Sequence, residues 1–192
     1  MNKRVWIFGG LSFLGIVLIL TIIFGLIFAG GYNNLVDKDV DVDSAYAQVD
    51  NRLIQRHALI TQLVAVVEGL TTEEQAIYAA ITSIRDAYSG NDPIADDVNE
   101  TEAFNNFLAI VEDNIDIVSD QGYLNLMESI SQMESALAIA RKDYNDAVAA
   151  YNAGVRRFPN IIFAQMFGFE KAKEYWSKDD TNNTVPSINF SN

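Results

Sequence analysis

Four aspartates alternate with other residues after the apolar N-terminal segment: Asp37, Asp39, Asp41 and Asp43. Alternating carboxylates open the EF-hand calcium loop, which also needs glycine at its sixth position and glutamate at its twelfth. Counted from the first aspartate, these positions hold Val42 and Gln48. Counted from the second, they hold Ser44 and Asp50. The pattern therefore favours the solvated start of a helix, with calcium binding as the alternative.

A second group of ionisable residues interrupts or borders the apolar stripes of two predicted helices. Arg56 lies inside the stripe of the first domain helix, and Glu134 and Arg141 flank the stripe of the last one. If the helices run antiparallel, Arg56 can pair with Glu134, which would fix the register of the helices more than it adds stability. We expect Arg56→Met to leave folding intact and Glu134→Leu to destabilise the fold by about 3 kcal/mol or more. A ligand-binding role is the alternative.

Two asparagines on the last long predicted helix form a third group of candidate residues. Asn145 follows Tyr144, and Asn152 follows Tyr151. The asparagines are seven residues apart, so their amides share one face of a helix. We expect them to cap or bridge neighbouring backbone, with a binding surface as the alternative.

The chain offers little for catalysis or metal binding. His57 is the only histidine and cysteine is absent, which excludes thiol catalysis and leaves a zinc site short of donors. The sequence has no GxxxxGK[ST] loop and no GxGxxG turn between a strand and a helix. We expect a non-enzymatic protein with no catalytic residue, cofactor, metal site or small-molecule substrate.

An uncharged apolar stretch near the N-terminus decides the class of the protein. No charged side chain lies between Arg4 and Asp37, and most of the stretch is Ile, Leu, Val, Phe and Gly. About 20 apolar residues cross the hydrocarbon core of a bilayer. We predict a transmembrane helix over residues 5–28. We expect it to be retained, because a cleaved signal peptide has only about 7–15 apolar residues.

The charges beside this stretch predict its orientation. Lys3 and Arg4 precede it, and the segment that follows is mostly acidic. Basic residues favour the cytoplasmic side of a membrane. We predict a single-pass protein of the cell membrane, with residues 1–4 in the cytoplasm and the domain outside it.

The chain after this anchor has the spacing of helices separated by short breaks. Apolar residues in steps of three and four predict a first domain helix over about residues 42–68. Gly30-Gly31 is the expected hinge if that helix does not continue from the anchor. Thr71 and Glu74 have the spacing of a capping box, which predicts the start of a second helix.

Two more helices follow in the second half of the domain. A third is expected from Thr101, with Ile115 on its apolar face. A fourth, over about residues 123–158, has an apolar stripe that reaches Phe158 and is ended by Pro159.

These segments predict an all-α fold with one domain after the anchor. We expect an antiparallel, coiled-coil-like bundle of about four helices over residues 32–176. An aromatic segment from Ile161 to Trp176 should contribute a partial helix. Residues 177–192 are polar and are expected to form a disordered tail.

The charge of the domain limits its partners. All 26 acidic residues lie at or after Asp37, against 11 of the 13 basic residues, so this part carries a charge of −15. Nucleic-acid binding needs a basic surface and is excluded. The same charge also makes it unfavourable for the domain to lie flat on anionic lipid.

The fourth predicted helix also resembles a known family. The run Arg141-Lys-Asp-Tyr-Asn-Asp-Ala-Val-Ala-Ala-Tyr-Asn152, followed by Phe158-Pro159, is similar to the signature of the LemA family. Other matching segments occur in the same order as in the family, at residues 32–36, 42–50, 56–64, 67–69 and 167–169. Thr61 departs from the proline that is usual in the family.

The resemblance implies a bacterial single-pass membrane protein with a helical bundle and no established enzymatic activity. Together with the residues above, it favours a membrane-anchored scaffold or interaction protein. Such a protein would bind the bilayer through its N-terminal helix and would bind partner proteins or copies of itself. The alternative is an extracytoplasmic module that senses a cation or a small ligand.

Overall fold

A computed structural model of the chain describes residues 3–70 and 75–177, with side chains from residue 14 onward. The helices are α1 Lys3–Leu70, α2 Gln75–Ala87, α3 Pro93–Val111, α4 Ile115–Val118, α5 Gln121–Arg156 and α6 Asn160–Phe167. No residue of the two described ranges lies in a strand, which confirms the all-α prediction.

Helix α1 is uninterrupted, so it contains both the predicted transmembrane segment and the first domain helix. It passes through Gly30 and Gly31 without a break, and the conditional hinge at these residues is not formed. A glycine inside a helix costs about 1 kcal/mol relative to alanine, which neighbouring turns and packing offset here. The predicted capping box at Thr71 and Glu74 lies outside the described residues.

The first described turns of α1 have the surface of a membrane-spanning helix. Every side chain from Leu14 to Ile27 is exposed, although nearly all are apolar. Thr21 Oγ1 donates to the carbonyl oxygen of Val17 at 2.8 Å, so this hydroxyl is paired without water. Within the described ranges, α1 is the one helix whose length and composition would allow it to cross a membrane.

Helix α3 starts earlier than predicted. Asp92 accepts hydrogen bonds from the backbone of Ile94 and Ala95, and Pro93 occupies the first helical position. This pairing of a cap with proline is a strong start signal, so the predicted start at Thr101 is wrong.

The predicted third helix also ends sooner than its stripe suggested. Asn114 caps a separate short helix, α4, through the backbone N–H of Ile117. This cap divides the stripe, and Ile115 is 75% exposed instead of lying on the apolar face.

Helix α5 follows the predicted long helix closely. Its start is fixed by Asp120, whose side chain accepts from the backbone N–H of Tyr123 at 3.0 Å. Its end at Arg156 leaves Phe158 outside the helix and 82% exposed, so the prediction that Phe158 belongs to the buried stripe is wrong. Val148 and Val155 are buried on α5 instead.

The chain divides into two compact units, and each is described by itself. Unit 1 contains the described residues within 1–44 and 146–174, and unit 2 those within 45–145 and 175–192. Helices α1 and α5 contribute residues to both units.

Unit 2 is a helical bundle with an apolar core. The core is built mainly by side chains of α1, α2 and α3, among them Ile60, Leu63, Val67, Ile77, Ile81, Ile84, Phe104, Phe107 and Val111. Within this unit, Tyr46 contacts Tyr144. Farther along α1, Arg56 contacts Glu134. As the residue number rises on α1 it falls on α5, so the two helices run antiparallel here.

Unit 1 packs α6 against α1. The ring of Phe163 on α6 contacts the ring of Phe28 edge to face, with 4.8 Å between centroids. α6 ends at Gly168, whose φ of 76° lies in the left-handed region that suits glycine. Residues 169–177 follow without helix.

Gly31 makes this packing possible. A Cβ atom at position 31 would overlap the ring of Phe163, whereas a Cβ at position 30 would meet nothing within 4 Å. The glycine of α1 that faces α6 is therefore required for its close approach.

We predict that Gly31→Ala displaces α6, whereas Gly30→Ala does not. Overpacking of this kind costs about 1–3 kcal/mol, so amide hydrogen exchange in residues 160–167 should become roughly 5- to 150-fold faster. The measurement is exchange mass spectrometry of the full chain in detergent. Both variants gain the same helix propensity, and equal exchange rates in the two would contradict the prediction.

Candidate functional site

A set of charged side chains from three helices, here called the ionic cluster, lies inside unit 2. Its members are Arg56 and His57 from α1, Asp97 and Glu100 from α3, and Glu134 and Arg141 from α5. Asp97 and Glu100 are one helical turn apart, which places both carboxylates on one face of α3. Glu134 and Arg141 are two turns apart on α5 and share a face for the same reason.

Arg56 is the centre of the ionic cluster and is only 1% exposed. Its Nε donates to Glu100 Oε2 at 2.9 Å. Its Nη1 lies 2.9 Å from Asp97 Oδ1 and 3.1 Å from Glu134 Oε1. Its Nη2 donates to the backbone carbonyl of Asp97 at 3.4 Å. The predicted neighbour Glu134 is present, but its side chain is 43% exposed, and the two buried partners come from α3.

Asp97 joins Arg56 to two further groups. Arg141 Nη2 donates to Asp97 Oδ1. Trp176 Nε1, from the segment after α6, donates to Asp97 Oδ2 at 2.9 Å. Both carboxylate oxygens of a residue that is 2% exposed are therefore paired.

Glu100 is fully buried and is held from two sides. Arg56 binds one carboxylate oxygen, and His57 Nδ1 lies 2.6 Å from the other. The His57 ring stacks on Tyr88 with 4.0 Å between centroids, which fixes the orientation of the imidazole.

Opposite charges in the ionic cluster lie close together but do not balance fully. The guanidinium groups of Arg56 and Arg141 face three carboxylates, which leaves an excess of one negative charge when His57 is neutral. Burial lowers the pKa of Arg56, but the charges of Glu134, Glu100 and Asp97 raise it by more, so the net pKa lies above its ordinary value. Arg56 therefore stays charged, and the arrangement acts as a fixed ionic connection between three helices.

A buried carboxylate beside the ionic cluster organises the loop before α3. Asp96 accepts from the backbone N–H and the hydroxyl of Ser89 and from the backbone N–H of Gly90, at 2.7 to 2.9 Å. Burial raises the pKa of Asp96, but these hydrogen bonds and the charge of His57 lower it below its ordinary value. The loop is therefore built around an ionised carboxylate.

Asn145 binds the backbone of Trp176 in unit 2. Its Oδ1 accepts from the Trp176 N–H at 2.8 Å, and its Nδ2 donates to the Trp176 carbonyl at 3.0 Å. The indole is 6% exposed and packs against the rings of Tyr46 and Tyr144. The amide therefore holds the tryptophan in place to reach Asp97.

Asn152 does the same in unit 1. Its Oδ1 accepts from the N–H of Lys173 at 2.7 Å, and its Nδ2 donates to the Lys173 carbonyl at 3.0 Å. The neighbouring Tyr151 hydroxyl donates to the carbonyl of Glu170 at 3.1 Å. Both asparagines thus bridge to neighbouring backbone, which is the role that the sequence predicted for them.

The aspartates at the start of the domain are engaged by the same segment. Lys173 Nζ lies 2.7 Å from Asp39 Oδ1 and 3.1 Å from Asp43 Oδ1. Residues 37–43 are helical, so they do not form an EF-hand loop. Within the described ranges, no group of three or more histidine or acidic side chains could hold a metal ion.

Sequence reasoning missed the α3 half of the ionic cluster. Asp97 and Glu100 lie before Thr101, where the third helix was predicted to start, so they were not placed on a helix face. Asp92 followed by Pro93 was the available signal, since it opens a helix and places both carboxylates on its first turns. Trp176 had no comparable signal, because its segment has no periodicity.

The fold and the site define this protein as a helical-bundle protein with a buried ionic cluster and one N-terminal apolar segment that is long enough to cross a membrane. The sequence model described as the LemA family matches residues 45–190. The match covers most of the chain, and the chain therefore belongs to the LemA family.

Two named relatives share a shorter segment. Magnetosome protein MamQ 2 of Paramagnetospirillum magneticum is 33% identical over 76 residues, which cover 40% of this chain and 28% of the relative. Magnetosome protein MamQ of Magnetospirillum gryphiswaldense is 30% identical over 88 residues, which cover 45% of this chain and 32% of the relative. The chain thus spans about a third or less of the length of these relatives.

We predict that Arg56→Met destabilises the fold by about 3–5 kcal/mol, because it leaves Asp97 and Glu100 buried without their cation. Glu134→Leu should cost no more than about 1 kcal/mol, because Glu134 is partly solvated. This reverses the order expected from the sequence. The measurement is urea unfolding of the full chain in detergent, followed by circular dichroism. The matched control is Arg52→Met, an exposed arginine one turn earlier on α1; equal losses from the two arginines would contradict the prediction.

We predict that Asn145→Asp releases Trp176, because a carboxylate cannot donate to the Trp176 carbonyl. The second tryptophan, Trp6, is replaced by Phe so that Trp176 is the single reporter. Its fluorescence emission should shift to the red by roughly 10 nm as the indole becomes solvated. Asn125→Asp, at an exposed position of the same helix, is the control and should leave the emission unchanged.

Proposed function

We propose that this chain is a non-enzymatic scaffold or interaction protein held at the cell membrane by α1. The observation that carries the proposal is the exposed apolar surface of α1 from Leu14 to Ile27. Such a surface is stable in a bilayer and unfavourable in water, so the domain acts where its anchor places it.

The state of the buried ionisable groups supports a structural role for the ionic cluster. Arg56 donates hydrogen bonds to both Glu100 and Asp97 within the bundle. A catalytic base or acid needs a geometry in which its proton can reach a substrate. Here the carboxylates are bonded to the guanidinium group of Arg56 inside the bundle, so the geometry favours fixed helix positions over proton transfer.

The surface charge supports a role in recognition. The part of the chain after residue 36 carries a charge of −15. A field of this sign attracts basic surfaces and opposes direct contact between two acidic domains. A protein partner with a basic docking surface fits the domain. Self-association would have to use the apolar N-terminal part of α1.

The charges around α1 support the orientation. Lys3 and Arg4 lie before the apolar stretch and acidic residues follow it, which favours a cytoplasmic N-terminus and a domain on the other side.

The test is cross-linking in intact cells with a membrane-impermeant amine reagent, compared with a permeant analogue of the same length. Lys142 and Lys171 are exposed targets in the domain. We expect recurrent adducts of defined mass with the impermeant reagent. A matched control chain carries an unrelated single-pass helix in place of residues 5–28, and adducts retained by it belong to the domain.

The possible outcomes separate the two parts of the proposal. Monomers alone with both reagents would overturn the scaffold role. Adducts with the permeant reagent only would overturn the orientation and leave the scaffold role standing.

A further inference from the structure

Helix α6 presents an apolar surface that the chain does not cover. Its sequence, NIIFAQMF, contains no charged residue. Ile162, Met166 and Phe167 are 47%, 64% and 48% exposed. Phe158, just before the helix, is 82% exposed. A charge-free helix with so much exposed apolar surface is unusual on a domain that is strongly acidic.

This surface continues directly from the apolar helix α1. Phe28 contacts Phe163 and Phe167, with ring centroids 4.8 and 5.6 Å apart. Tyr32 contacts Phe167 at 4.9 Å and Phe169 at 5.9 Å. Every side chain from Leu14 to Ile27 is exposed, and Phe28 is the first that is half-buried. α6 therefore packs against α1 at the turn where the unbroken run of exposed apolar side chains ends.

The charges beside α6 differ from those of the domain as a whole. Arg156 and Arg157 precede it and Glu170 and Lys171 follow it, and all four side chains are exposed, so these flanking residues carry a net charge of +2. Basic residues that flank an apolar helix are attracted to anionic headgroups by about 1 kcal/mol each. The repulsion expected from an acidic domain is therefore reduced at this place.

We propose that α6, with Phe158, Ile162, Met166 and Phe167, is a second membrane contact that lies in the headgroup region of the bilayer beside the end of the α1 span. The inference rests on the proposed membrane anchoring of α1 and deepens it. A bilayer fits better than a second protein copy, because the ring contacts fix α6 beside the end of the span. An amphipathic or apolar helix at that depth buries its exposed side chains in the interface.

The contact restricts the domain. A domain joined to the bilayer by one helix can rotate about that helix and tilt. A second contact on α6 would fix which side of unit 1 faces the lipid.

The experiment is depth-dependent fluorescence quenching of the full chain in vesicles of phosphatidylethanolamine and phosphatidylglycerol. The chain has no cysteine, so single-cysteine variants can be labelled at one position each. The test positions are Ile162→Cys and Met166→Cys on α6. Ile139→Cys on α5, which is 62% exposed, is the matched control, and Ile23→Cys reports on the span.

We expect nitroxide lipids labelled near the headgroup to quench positions 162 and 166 at least twofold more than position 139. Lipids labelled deep in the chain should quench position 23 most strongly. Circular dichroism of each variant checks that the helix content equals that of the unmodified chain.

Each further outcome contradicts a different claim. Strong quenching at position 23, with positions 162 and 166 equal to 139, would overturn the α6 contact and leave the anchor standing. No quenching at position 23 would overturn the anchor and the α6 contact together. Energy transfer between labels at position 166 of two copies, without lipid quenching, would assign the surface to self-association and overturn the lipid contact.

Discussion

The structure of unit 2 depends on one buried cation. The Arg56 guanidinium is removed from water, and desolvation of an ion in a protein costs several kcal/mol unless hydrogen bonds and opposite charges replace the solvent. α1 offers no such partners at that position, so the carboxylates come from α3 and α5. A slip of α3 by one turn would remove both buried partners of the cation, and a slip of α5 would separate Glu134 from Arg56 and Arg141 from Asp97. The pairing therefore selects one register for three helices, a restriction that apolar stripes alone impose only weakly.

Most of the helices could be predicted from the sequence, whereas their connections could not. Periodicity locates α1 and α5 because each buries a long stripe on one face. It failed at α3, where Asp92 and Pro93 rather than an apolar spacing define the start. It also failed at Phe158, since an apolar residue after the end of a helix is not held on the buried face.

The candidate site, too, could be predicted only in part from the sequence. The contact between Arg56 and Glu134 followed from an arginine in one stripe and a glutamate beside another. The buried partners, Asp97 and Glu100, were not predicted, because they lie before the predicted start of the third helix at Thr101. The backbone partners of Asn145 and Asn152 were also hidden, because residues 170–176 bind through main-chain groups that any sequence supplies.

The distribution of charge shows how an acidic domain can belong to a membrane. Inside unit 2, two guanidinium groups offset two of the three carboxylates of the ionic cluster. On the surface, the acidic excess would repel an anionic bilayer if it were spread evenly over the domain. It is not spread evenly, because α6 is uncharged and its exposed flanking residues Arg156, Arg157, Glu170 and Lys171 carry a net positive charge. Long-range repulsion would then act on the rest of the domain while short-range burial acts on α6. In the proposed contact, these two forces together would orient unit 1 with α6 towards the lipid.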